Sequence, residues 1–211
     1  IADGRGFAAA FMLGAQGGFE DMLFRALQIP VARGDRYAVA GFLRRYVADR
    51  SVQLIEIGTT TGNARMFRAA DLPESEIAFL REHLAWGELV VAARFQSPEL
   101  PLMVVPDREV QLKERLESDE ANTRMAGAAL GLARAFTKRI DASVPARLYV
   151  NLDNVAIEAL LQCHREGRPV PAQAVALLRS FKVIMAPAGE ELKGQPPLVT
   201  LLADFSGAAA A

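Results

Sequence analysis

The chain of 211 residues has one cysteine, Cys163. A single thiol excludes an intrachain disulfide and is the usage of a reducing compartment, so the expected location is cytoplasmic. Histidine is nearly as scarce, with only His83 and His164, too few to build a histidine-based metal site. Net charge is almost absent: 24 basic against 25 acidic side chains leave −1. That balance gives no electrostatic basis for capturing nucleic acid or an anionic membrane. The apolar runs are too short to span a bilayer, and no basic segment precedes an apolar stretch as a signal peptide requires. There is no internal repeat and no convergent set of acid, base and nucleophile. The first residue is Ile1 rather than methionine, so the chain is expected to be a fragment or a processed product.

What is present is apolar material: 51% of residues are hydrophobic and 23% charged, enough for a core in one large or two small domains. The most informative stretch is residues 146–161. Leu148, Val150 and Leu152 alternate with Arg147, Tyr149 and Asn151, the period of a half-buried strand. Asp153 and Asn154 then break the strand, and either can cap a helix with its short side-chain acceptor. Ile157, Leu160 and Leu161 follow at helical spacing. Cys163 and His164 lie beyond them. Neighbours on a helix point apart, so these two read as a small buried hydrophobe and its neighbour, not a catalytic pair.

Upstream, residues 1–18 are rich in glycine and alanine and are expected to be irregular. Residues 19–27 can form a short helix with Met22, Leu23 and Ala26 inward, on which Arg25 reads as a surface arginine. A short strand is expected at 29–32. Asp35 then caps a helix to about residue 48 whose inner stripe is Val39, Phe42, Leu43, Tyr46 and Val47. Arg44, Arg45 and Arg50 gather at its end, where cations suit the helix dipole. Residues 52–57 read as a strand. The following Gly58–Asn63 segment, GTTTGN, lacks the Gly-Lys-Ser/Thr ending of a phosphate loop and reads as a surface loop. Asp71, Pro73 and Glu74 form a plausible capping box for a helix burying Ile77, Leu80 and Leu84, with His83 exposed. Two strands, 88–95 and 102–105, are expected to pair across the tight connection marked by Pro98 and Pro101.

Residues 107–120 are dense in charge, with a thin stripe of Val110, Leu112 and Leu116, and read as a solvated helix face. A helix capped by Asn122 or Thr123 is expected to run to about residue 140. Its Gly127 and Gly131 would permit close helix contact. At the C-terminus, residues 171–186 form a strong helix with a broad apolar face of Ala174, Leu177, Leu178, Phe181, Ile184 and Met185, widened by Val175 and Val183. After a linker, Pro197 can start a last helix carrying Leu198, Leu201, Leu202 and Phe205. A hairpin of these helices buries one face of each and leaves apolar surface over. Pairing two hairpins about a two-fold axis covers it. The expected dimer interface is therefore Leu177, Leu178, Phe181, Ile184, Leu198, Leu201, Leu202 and Phe205. The expected class is α/β (α+β), with a small strand–helix–strand domain over residues 1–85 and a mixed domain over 86–211 ending in the helical hairpin.

Two stretches resemble the Hsp90 chaperone family. Val150, Asn151, Asp153, Asn154, Ile157 and Leu160 are similar to its late strand–turn–helix, with Leu152 and Val155 standing where the family usually has prolines. Arg94-Phe95, Ser97-Pro98 and residues 101–105 follow its pattern of strand, serine-proline turn and second apolar strand. The resemblance implies the distal middle domain and C-terminal dimerisation domain of a divergent bacterial-type (HtpG-like) member. It also implies a homodimer and unfolded or partly folded clients as partners. The family's ATP and magnesium site lies in an N-terminal domain outside this chain, so no cofactor and no catalytic residue is expected here. The family's client-contacting segment falls at residues 107–120. Leu112 and Leu116 are its candidate client-facing residues, although the family's methionine signature is missing there. Two other classes remain open: a dimeric scaffold or adaptor without an ATPase cycle, and a small α/β enzyme. For the enzyme, the Gly58–Asn63 segment and the two histidines are the only candidates.

Overall fold

The computed structural model describes residues 7–11, 39–50, 53–107, 110, 113, 144–185, 194–197, 199–201 and 203–204. The helices expected at 19–27 and 122–140, the strand at 29–32, and most of 107–120 lie outside these. Strands and helices mix as the class expectation had it. In order they are β1 (Phe7–Phe11), α1 (Val39–Asp49), β2 (Gln53–Glu56), α2 (Thr60–Met66), β3 (Arg68–Ala69), α3 (Glu74–Leu84), β4 (Leu89–Arg94), β5 (Leu102–Pro106), β6 (Ala146–Asn151), α4 (Val155–Arg165) and α5 (Ala172–Met185). Residues 199–201 and 203–204 are helical as well.

β1 pairs in parallel with β2, so the stretch expected to be irregular contains a strand. On α1, Val47 is buried but Phe42 is 66% exposed, against the expectation of an inner stripe containing both. The GTTTGN segment is not a surface loop. Thr59 accepts from the backbone N–H of Gly62 and caps α2, while Gly58, Gly62 and Asn63 are buried. α2 can sit this close to β2 because position 62 is glycine: a Cβ there would fall 1.8 Å from the Glu56 carbonyl oxygen. The expected capping box does not form either. Pro73 occupies the cap position of α3 without a side-chain hydrogen bond.

The main sheet has four strands in the order β3-β4-β6-β5. β4 runs parallel to β6, from Leu89 opposite Arg147 to Ala93 opposite Asn151. β5 runs antiparallel to β6, from Leu102 opposite Val150 to Pro106 opposite Ala146. β4 and β5 are therefore not partners; β6 lies between them. β6 is also not half-buried. Leu148 and Val150 on one face, and Tyr149 and Asn151 on the other, are all covered. Alternation misled because the second face is filled by ring stacking and one polar side chain. Tyr149 stacks on Phe67 at 4.0 Å, and Phe67 meets Phe95 edge-on at 5.2 Å.

Among the described residues one apolar cluster runs from Ile55 in β2 to Leu178 in α5 and includes Leu80, Leu84, Met103, Leu148 and Ile157. α3 packs on β4 and α5. The boundary expected at residues 85–86 thus falls between elements that share one core.

Candidate functional site

The turn between β4 and β5 is built around Asn151. Its Nδ2 donates to the carbonyls of Phe95, Ser97 and Leu100 at 3.1–3.3 Å, and its Oδ1 accepts from the Phe95 and Asp153 N–H groups. A buried amide that meets three turn carbonyls replaces the ladder a simple hairpin would have used. Ser97 takes a left-handed conformation with φ 73°, which lets the turn wrap around that side chain. Asn154 adds a second clamp. Its Oδ1 accepts from Ala156 and Ile157 and so caps α4, while its Nδ2 donates to Pro98 at 2.8 Å. Arg94 pairs with Asp153 across the same junction. The two sequence stretches 94–105 and 147–160 are therefore bonded directly to one another.

α4 is tied to α3 by Arg165, which makes two hydrogen bonds to Glu76 at 2.9–3.0 Å. These bonds hold the Glu76 carboxyl below the usual carboxylate range. Between the helices the Phe79 ring stacks on His164 at 4.5 Å and leans on His83 at 4.4 Å. Both histidines are thus packing groups.

α5 is held by a lysine. Lys182 is fully buried; its Nζ donates to Glu88 at 2.8 Å and to the Leu84 carbonyl at 2.7 Å, and lies 3.6 Å from the centre of the Trp86 ring. Burial pushes this ammonium down to about 8, against the pull of Glu88. Arg179 adds a hydrogen bond to the His83 carbonyl at 2.6 Å. Val175 and Leu178 complete the inward side.

The inward side therefore follows positions 175, 178 and 182, and a second stripe faces away from the core. Gln173, Leu177 and Ile184 are exposed and Phe181 is half-buried. Leu177 is 57% and Ile184 71% exposed, two turns apart on one face. Beside α5, a groove of about 600 Å³ is lined by Val170, Ala176, Arg179, Leu201 and Asp204 among others.

Of the residues expected at a dimer interface, Leu177 and Ile184 face outward and Phe181 is partly covered. Leu178 and Leu201 are 5% and 2% exposed within this one chain, so they are core residues and not available to a partner. Leu198, Leu202 and Phe205, and the candidate client-facing Leu112 and Leu116, lie outside the described residues. The sequence reading missed Lys182 because a charged residue at an inward position contradicts the apolar stripe, and nothing local announces Glu88 and Trp86 as its partners. Asn151 was legible as a polar position at the end of a strand but not as the centre of the turn opposite.

Among the described residues, no group of three or more histidine, cysteine, aspartate or glutamate side chains is placed to hold a metal ion. Among them, too, no helix is long and apolar enough to cross a membrane. No protein-family model matches the sequence, and no curated protein matches it.

Proposed function

We propose that this chain is the distal middle domain and C-terminal dimerisation domain of an Hsp90-like molecular chaperone, and that it pairs with a second copy of itself through the outer face of α5. The observation that carries the dimer is the apolar stripe of Leu177 and Ile184 on a helix already anchored on its other side by Lys182, Val175 and Leu178. Exposed apolar surface of this kind is the usual mark of an interface. A two-fold axis across the stripe would set Leu177 of one copy against Ile184 of the other. The chaperone reading rests on the family resemblance. It is supported by the mutual clamping of the two stretches that carry it, through Asn151 and Asn154.

On this reading the partners are a second copy and unfolded or partly folded proteins, the latter near Leu112 and Leu116, and the setting is the cytoplasm. ATP and magnesium would belong to a nucleotide domain of the parent protein, and this chain by itself would not bind ATP. Light scattering on the purified chain at tens of micromolar tests the dimer. The expected result is the mass of two chains, falling to one in the Leu177→Glu, Ile184→Glu double variant. Its circular dichroism spectrum should be unchanged, because both side chains are exposed within the single chain, while its melting temperature should fall by the stabilisation that association supplied. A wild-type chain of single mass under those conditions overturns the proposal. The charged, methionine-poor stretch 107–120 favours a scaffold without client affinity as the second reading. Suppression of a model client's aggregation by the wild-type chain, lost on changing Leu112 and Leu116 to serine, decides for the chaperone.

A further inference from the structure

β3 and β4 set two arginines against each other: Arg68 and Arg94 are direct cross-strand partners in antiparallel register, so both side chains leave the same face of the sheet. Like charges in that position are destabilising unless something negative lies between them. Arg65, three residues before Arg68 at the end of α2, lines the same open groove of about 720 Å³. Among the described residues of the lining Asp153 is the one carboxylate, and it is engaged with Arg94. Arg65 gives one N–H to the Leu54 carbonyl at 3.3 Å. The Arg68 side chain is exposed and makes no hydrogen bond or ion pair with the described residues. Its described lining therefore holds three guanidinium groups against one carboxylate, with most of their N–H donors bonded to no described protein group.

We infer that this groove binds a small phosphate monoester, whose dianionic head sits between Arg68 and Arg94. The chemistry follows from the donors. Guanidinium forks match tetrahedral oxyanions with paired, charge-assisted hydrogen bonds. The described residues of the lining have a surplus of two positive charges, which a dianion neutralises in full. The volume lies within the range of small-molecule pockets and exceeds what a bare phosphate fills, leaving room for the organic part of an ester. Asp153 sets the affinity: it occupies Arg94 when the groove is empty and must share it when the ligand arrives. This site is separate from the outer face of α5, and the proposal does not depend on dimerisation.

The test is calorimetric titration of the full chain with an alkyl phosphate monoester, with inorganic phosphate and succinate as comparison probes. The expected order is the ester first, then phosphate, with succinate weakest. Arg68→Gln should weaken ester binding by about tenfold or more, the loss expected for a charged hydrogen bond. Its thermal stability without ligand should be equal or higher, because the Arg68–Arg94 opposition is relieved. Asp153→Asn should tighten binding by freeing Arg94. No heat of binding with millimolar ester overturns the inference. So does ester affinity unchanged in Arg68→Gln, or succinate binding as tightly as the ester.

Discussion

A buried lysine at an inward helix position makes Lys182 the residue whose removal says most. Lys182→Met alone leaves the Glu88 carboxylate covered and without its cation, which costs about 3–5 kcal/mol. Adding Glu88→Leu removes the stranded charge, and the double variant should recover most of that loss in urea unfolding. The pH dependence has a definite sign. The folded-state value of about 8 lies below the ordinary 10.5, so across that interval the unfolded chain holds a proton that the native chain has released. Stability then rises with pH through the window, and below pH 8 the burial penalty is fully present. The stability of the wild type relative to the double variant should grow between pH 8 and 10.5. A difference that stays flat or shrinks would show that Lys182 keeps its proton in the fold.

At the scale of the element, α2 depends on a single missing side chain. The 1.8 Å approach of a Cβ at position 62 to the Glu56 carbonyl leaves no room for alanine, and backbone cannot swing aside as a flexible side chain can. Gly62→Ala should destabilise the chain by about 3 kcal/mol, at the upper end of overpacking penalties, as read by denaturant midpoint. The same element marks where sequence stops being informative. Strands β4, β5 and β6, helices α4 and α5, and the cap at Asn154 could all be read from periodicity and side-chain chemistry, because those signals are local. The helix at residues 60–66 could not, since Met66 is the one large apolar side chain among its seven residues and the rest of its buried side is Gly62 and Asn63. The pairing of β5 was misread because a short connection usually means a hairpin. What overrode it is the Asn151 amide, which reaches the Leu100 carbonyl in the turn from 51 residues further along the chain. Of the proposed interface, the apolar excess on α5 was legible. Which half of it faces outward was not, because that depends on Lys182.

Over the whole molecule, the sheet is closed by its last strand. β6 supplies the inner hydrogen-bonding partner of both β4 and β5, and Asn151 at its end and Asn154 just beyond it clamp the turn between them. A chain ended at residue 144 keeps β4 and β5 but leaves a strand-wide gap between them. It should lose the cooperative thermal transition, as followed by circular dichroism, and a peptide of residues 145–211 added in trans, which returns α4 and α5 together with β6, should restore it. A truncated chain that still melts cooperatively would mean that the rest of the core holds without β6, α4 and α5.

That same strand order sets a delay during synthesis. About 45 residues separate the end of β5 from the end of β6, which at 5–20 residues per second is roughly 2–9 seconds on the ribosome. For that interval β4 and β5 each present an open hydrogen-bonding edge, and the apolar residues Leu102, Met103, Val104 and Val105 wait without their cover. The nascent protein is therefore most prone to stick to its neighbours just before its central strand emerges, and slowing translation over residues 107–145 should lower the yield of folded chain.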